Sequence, residues 1–200
     1  MPRRGFFIVF EGVDGSGKST QIDLLSEKLR QAGVDHIIER EPSSGAIGKL
    51  IRDYAEAGDR YLNPETEALL FSADRVEHVK RIEGYLNEGV TVICDRFLHS
   101  TLAYQGGSGV NIAWLRSLQK FDLKPDIIIL LDINPERSLV RVSNRSLTVF
   151  ENNSYLKKVR EFYLKFADAG EMIPVNCSRT VDEVKIDVLR LVSDLIGVSL

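Results

Sequence analysis

In the run Gly12-Val13-Asp14-Gly15-Ser16-Gly17-Lys18-Ser19, Gly12 and Gly17 bracket a short loop that ends in lysine and a hydroxyl residue. This is the G-x-x-x-x-G-K-[ST] spacing of a phosphate-binding loop. Glycines let the backbone curl so that successive N–H groups point inward at phosphate oxygens. A helix starting near Lys18 adds the positive end of its dipole. In that geometry Lys18 reaches the β- and γ-phosphates of a nucleoside triphosphate. The Ser19 hydroxyl, with Thr20 behind it, ligates Mg²⁺. Residues from Gly12 to Thr20 are therefore the expected ATP-binding set.

A second constellation begins at Asp95-Arg96, where an apolar stretch ends. Aspartate at the carboxyl end of a strand holds Mg²⁺, and arginine forks onto a phosphate. Asp132 also follows an apolar run, Ile127-Ile128-Ile129-Leu130-Leu131, but Asn134-Pro135-Glu136 comes next and no glutamate is adjacent. That weakens any reading as a motor or transporter ATPase. The Asn-Lys-x-Asp guanine reader of a GTPase is absent from the sequence. A small kinase moving one phosphoryl group between two nucleotides fits best.

The elements that must position these residues are legible from their periodicity. Short apolar runs predict strands over 5–11, 34–40, 90–95, 126–133 and 172–177. Ile22, Leu25 and Leu29 recur at helical spacing after the phosphate loop, with Gly33 at the end. Pro64 opens a long helix carrying Leu69, Ala73, Val76 and Ile82 and closing at Gly89. Further helices are predicted over 47–57, 112–120, 135–144, 154–167 and 181–196. Apolar strands alternating with helices imply a five-stranded parallel sheet covered on both faces, the three-layer doubly wound α/β fold. The polar stretch around 141–153 is the expected short lid.

Composition bounds the remaining possibilities. The chain has 200 residues, which suits one domain over 1–200 at about 150 residues per domain. It is 44% hydrophobic and 28% charged, enough apolar surface for a folded core. The net charge of −3 gives no field to attract a nucleic-acid backbone. The apolar runs are far short of the roughly 18 residues a membrane span needs. The run after Arg3-Arg4 stops at Glu11, shorter than a signal peptide's apolar core. Cys94 and Cys177 lie in apolar stretches and read as buried thiols of a reducing compartment, so a cytoplasmic location is expected.

Taken together, several segments resemble the thymidylate kinase family. They are Phe10-Glu11-Gly12 through Ser19-Thr20, Arg40-Glu41-Pro42, Leu70-Phe71-Ser72-Ala73-Asp74-Arg75, Asp95-Arg96-Phe97, Ser100, and Ala103-Tyr104-Gln105-Gly106. The resemblance implies transfer of the γ-phosphate of ATP to dTMP, with Mg²⁺, in a homodimer. It implies that Phe71 stacks on thymine, that Arg75, one helical turn on, donates to the base O4, and that Thr101 lies near N3. It places Asp14 near the deoxyribose 3′-hydroxyl, Tyr104 in the space a 2′-hydroxyl would need, and Arg96 on the acceptor phosphate. Glu41, Arg52, Ser100 and Gln105 complete the expected acceptor site.

The chain departs from the family at two places. Phe97 follows Asp95-Arg96 where a tyrosine or histidine is frequent, and Thr148-Val149 precedes Phe150-Glu151 where many relatives carry Asp-Arg. With no arginine among Val13, Asp14, Gly15 and Ser16, the catalytic cation is expected from the lid, as Arg141 or Arg145. The acceptor is already a phosphate anion, so no strong general base is needed, and His36, His78 and His99 have no evident catalytic task. Two alternatives remain at this stage: another nucleoside monophosphate or deoxynucleoside kinase, and a P-loop module that binds ATP without turnover. A nucleoside kinase would need a carboxylate base after the second strand, a place Glu41 occupies. A mere switch would need no acceptor pocket.

Overall fold

The segment Phe7-Ile8-Val9-Phe10-Glu11 is buried at every position, which marks an interior strand covered on both faces. Alternation sends Phe7 and Val9 into one apolar cluster with Ile82, Val92 and Cys94. Ile8 and Phe10 join a larger one with Leu25, Leu130 and Val192. The computed structural model describes residues 4–57, 59–119, 123–142, 148–150 and 152–200.

Among the described residues, strands β1 (Phe7–Glu11), β2 (His36–Arg40), β3 (Thr91–Asp95), β4 (Ile127–Asp132) and β5 (Ile173–Asn176) form one sheet. All neighbours are parallel, in the order β2-β3-β1-β4-β5. Helices α1 (Lys18–Gln31), α2 (Ala46–Glu56), α3 (Pro64–Asn87), α4 (Leu98–Gly107), α5 (Ile112–Ser117), α6 (Pro135–Val142), α7 (Asn153–Asp168) and α8 (Val181–Ile196) flank it. The doubly wound α/β class is the one predicted, and each strand lies within the span expected for it. The lid expected over 141–153 lies partly outside the described residues, since 143–147 and 151 are not among them.

Register positions the chemistry. Phe10 pairs with Asp95 and Glu11 with Leu130, so the carboxyl ends of β1, β3 and β4 emerge along one edge. The loop from Gly12 and the pair Asp95-Arg96 leave the sheet there side by side, where ligands of such folds bind.

Two expectations need correction. No helix was predicted over 98–107, yet α4 forms there. Its His99, Thr101, Leu102, Ala103, Tyr104, Gln105 and Gly106 are all buried, so it lacks the polar face that makes helical period visible in sequence. It packs on α7 through Gly107, where a Cβ would approach Val159 Cγ2 to 3.3 Å. On α3, Leu69 (51% exposed), Val76 (39%) and Ala73 face outward, and only Ile82 of the expected stripe is core. The helix instead buries Ala68, Ser72, Asp74, Arg75, His78 and Val79, because partners on the β2 side satisfy the polar members of that face.

Candidate active site

The phosphate loop takes the backbone path its glycines allow. Gly15 has φ +76°, and a Cβ there would lie 2.3 Å from the Ser138 carbonyl oxygen, so only glycine fits against α6. The Lys18 ammonium folds over the loop and donates to the carbonyls of Gly12 (3.1 Å) and Val13 (3.2 Å). Burial and the Arg96 charge lower its pKa, while Asp95, Asp14 and Glu11 oppose that shift. Ser19 and Thr20 are exposed into a cavity of about 460 Å³ that runs along the loop. Arg141 forms part of its wall, donating from Nη2 to the Cys177 carbonyl at 3.2 Å. Arg145 lies outside the described residues.

A second cavity of about 320 Å³ opens on the other side of the Asp95-Arg96 edge. Phe71 and Phe150 both line it, their rings tilted by 57° with centres 6.4 Å apart, and Tyr104 is edge-on to Phe150 at 6.1 Å. The two cavities have Asp14, Asp95 and Arg96 in common. Two ligands bound in them would meet at those three side chains.

Arg96 is held at that junction by its backbone and its side chain. Its φ of +73° is rare for a non-glycine residue and costs on the order of 1 kcal/mol or more. Its N–H is fixed on the Phe10 carbonyl at 2.9 Å. The guanidinium donates to Asp14 (2.8 Å), Ser100 Oγ (3.0 Å) and the Tyr104 hydroxyl (3.3 Å). Burial raises the Asp14 pKa, but the Arg96 and Lys18 charges and hydrogen bonds from Arg96 and Tyr104 outweigh it. The carboxyl is left at about 2.

Arg75 is 1% exposed and its fork is ordered on every side. Nε and Nη2 donate to Glu41 Oε2 (2.8 and 2.6 Å), Nη2 also to Thr101 Oγ1 (2.9 Å), and Nη1 to Gln119 Oε1 (2.9 Å). Asp74, the neighbour of Arg75 on α3, does not pair with it and accepts instead from the Ser43 N–H and hydroxyl. Glu41 is buried with its carboxylate taken up by Arg75 and His78, so it orders the site rather than facing a substrate hydroxyl as a free base. Arg52 lines the cavity and donates to the carbonyls of Pro42 and Ser43. Gln105 turns its amide to Glu67 Oε2 at 3.1 Å.

Sequence reasoning gave no task to several residues that build this site. Glu11, fully buried at the end of β1, accepts from the Phe97 N–H (2.9 Å), the Ser100 N–H (3.1 Å), Ser100 Oγ (2.6 Å) and the Tyr163 hydroxyl (2.9 Å). It therefore caps the free N–H groups of α4, the helix that carries Ser100, Thr101 and Tyr104. The available signal was an acid closing an otherwise apolar strand. Glu67, 1% exposed, ties together Tyr54, Arg60 and Gln105. Asp132, whose position resembled a metal-binding acid, is instead paired with Arg160 Nε at 2.7 Å.

For Mg²⁺ the fit is good. Asp95 Oδ1 is buried with no hydrogen-bond partner among the described residues, at the junction of the two cavities. Among the described residues no cluster of three or more acidic, histidine or cysteine side chains forms a cage. An ion held mainly by nucleotide phosphates and water, with one or two protein oxygens, needs none.

Comparison with known proteins agrees with this geometry. Residues 10–188 match the thymidylate kinase family model. A probable thymidylate kinase of Thermococcus onnurineus is 44% identical over 197 residues, covering 93% of this chain and 96% of the relative. One from Pyrococcus horikoshii is 42% identical over 203 residues, covering 97% and 99%. One from Pyrobaculum aerophilum is 43% identical over 193 residues, covering 95% and 97%. A phosphate loop and a second cavity meeting at Asp14, Asp95 and Arg96, together with a match spanning most of the sequence, place the chain in the thymidylate kinase family.

Proposed function

We propose that this chain transfers the γ-phosphoryl group of ATP to dTMP, giving dTDP and ADP, as a single kinase domain with a lid over 141–153. The observation that carries the reading is the pair of cavities joined at Asp14, Asp95 and Arg96. ATP lies along the phosphate loop, and dTMP lies with its base against Phe71 and its phosphate toward Arg96. An oxygen of the dTMP phosphate attacks the γ-phosphorus in line as the bond to the β-phosphate oxygen breaks. That attacking oxygen is already anionic, so positioning and charge stabilisation carry the catalysis.

Lys18 turns from the loop carbonyls to the β- and γ-phosphates. Arg96 steadies the acceptor phosphate, and a lid arginine, Arg145 or Arg141, meets the charge on the transferring group. Ser19 and Asp95 are the protein groups that would hold Mg²⁺, which neutralises charge on the phosphate oxygens when bound. Arg75 and Thr101 face the base, while Asp14 and Tyr104 face the sugar. No helix among the described residues is long and apolar enough to cross a membrane. Two buried free thiols, Cys94 and Cys177, support a cytoplasmic setting. The exposed Leu69, Ala73 and Val76 on α3 support a homodimer packed through that helix.

The test is a coupled assay of ATP with a panel of nucleoside monophosphates. We expect Mg²⁺-dependent turnover with dTMP well above AMP or CMP. Comparable turnover of AMP or CMP with none of dTMP would overturn the assignment.

A further inference from the structure

His78 is completely buried, and both of its ring nitrogens face carboxylate oxygens. Nδ1 lies 3.1 Å from Glu41 Oε1, and Nε2 lies 3.2 Å from Glu39 Oε2. A neutral imidazole has one N–H and one lone pair, so one of these contacts would set a lone pair against a carboxylate. Only the imidazolium donates to both. Glu39 and Glu41 stand two residues apart and point to one side of the chain, and the ring is the cation between them.

Beyond the ring, Glu41 Oε2 takes two donors from Arg75. Glu39 takes the Arg81 guanidinium at 3.0 and 3.1 Å. The result is a row of alternating charge, Arg81, Glu39, His78, Glu41 and Arg75, whose last member lines the acceptor cavity. The other charged or titratable groups nearby are Asp74 of α3, occupied by Ser43, and the Cys94 thiol of β3, which burial and then the carboxylates around it, Glu41 foremost, push up. Burial works against charge on the His78 ring, but the hydrogen bonds it donates to the two carboxylates, and their negative charge, outweigh burial and raise its pKa.

We propose that His78 is a positioning residue for acceptor recognition: clamped as an imidazolium between Glu39 and Glu41, it fixes the Glu41 carboxylate that aims Arg75 into the acceptor cavity. The inference rests on the reading of that cavity as the dTMP site. Without the cation, the buried Glu41 carboxylate and the partly buried Glu39 carboxylate repel, and Glu41 is pushed from the geometry that orders the Arg75 fork.

Two variants separate positioning from bulk. In His78→Asn the side-chain amide stands in for the Nδ1 donor toward Glu41, and in His78→Gln for the Nε2 donor toward Glu39. We expect His78→Gln to raise the KM for dTMP by at least about tenfold, with kcat and the KM for ATP within about twofold. His78→Asn should recover part of that loss. An unchanged dTMP KM in folded His78→Gln, or kcat and both KM values shifting together, would overturn the proposal.

If the variants do not fold, ¹⁵N NMR of the histidine-labelled wild type decides. The signal is assigned by elimination in His36→Gln and His99→Gln. A doubly protonated His78 ring at pH 8 whose shifts move on adding dTMP supports the clamp, and a singly protonated ring overturns it. Wild-type turnover of dTMP is measured in parallel, so a failure of the acceptor assignment is seen separately from a failure of His78.

Discussion

Arg96 and Asp14 lie 82 positions apart in sequence and 2.8 Å apart in space, at the line where the two cavities join. A guanidinium that already holds a carboxylate there is oriented to hold the anionic oxygens of a phosphate. The same pair couples a residue of the phosphate loop to the loop after β3, so the two halves of the site are mechanically one.

That pairing has a pH signature. The Asp14 pKa is about 2 in the folded chain against an ordinary 3.8, so its ionisation stabilises the fold above pH 4. The contribution is lost as pH falls from about 4 towards 2. After discounting for partial solvent screening, it amounts to about 1–2 kcal/mol. Chemical denaturation from pH 6 to 2.5 should show a steeper loss for wild type than for Asp14→Asn. Parallel curves would mean that the pair contributes nothing to stability.

Lys18→Ala removes a side chain held on the loop's carbonyls by two direct hydrogen bonds. Loss of a preorganised cation at developing phosphate charge typically costs about 10²–10³-fold in kcat. Thermal melts should remain close to wild type, because the lysine is released from two carbonyls rather than from a packed core. A near-normal kcat would place Lys18 away from the phosphates.

Tyr104 is 7% exposed and sits over the Arg96 guanidinium, its hydroxyl 3.2 Å from Asp14 Oδ2. If its ring excludes a ribose 2′-hydroxyl, Tyr104→Ala should shift the ratio of kcat/KM toward the ribonucleotide relative to dTMP. Competition between dTMP and its ribose analogue measures that ratio directly. An unchanged ratio assigns Tyr104 to packing.

Glu11→Ala leaves the N–H groups of Phe97 and Ser100 and the Tyr163 hydroxyl without their shared acceptor. The Ser100 N–H keeps the Phe97 carbonyl and the Tyr163 hydroxyl keeps Ser100 Oγ. The Phe97 N–H loses its acceptor, and a buried donor left so costs about 1–3 kcal/mol, so a total destabilisation of about 2 kcal/mol is expected. Urea denaturation reads it. Because α4 carries Ser100, Thr101 and Tyr104 of the second cavity, the proposed dTMP site, the dTMP KM should rise as well, while the KM for ATP changes less.

For the lid, Arg141 donates to the Cys177 carbonyl beside the phosphate loop, whereas Arg145 lies outside the described residues. Arg145→Ala is expected to lower kcat by at least about tenfold with little change in dTMP KM, the mark of an interaction made mainly in the transition state. Arg141→Ala should raise the KM for ATP. Unchanged kcat in both variants and in the double variant would leave the loop's missing cation to another residue.

The sequence alone determined what depends on local order. A phosphate loop is contiguous, its glycines and lysine act within one turn of chain, and the strand before it and helix after it show in apolar period. The alternation of strands and helices likewise specified a parallel sheet, since each crossover needs a helix to return the chain. Tertiary structure alone decided which charges meet. That Glu41 serves Arg75 and His78, that Asp132 is taken by Arg160, and that Glu11 caps a helix at Phe97 and Ser100 are contacts between residues 28 to 89 positions apart. No local spacing encodes them. The helix α4 was hidden for a related reason: buried on all sides, it has no polar face, and only its neighbours, α7 among them, reveal why it is a helix. On α3, Leu69, Ala73 and Val76 face out while Arg75 and His78 face in, because paired burial of charge depends on partners that only the fold brings within reach.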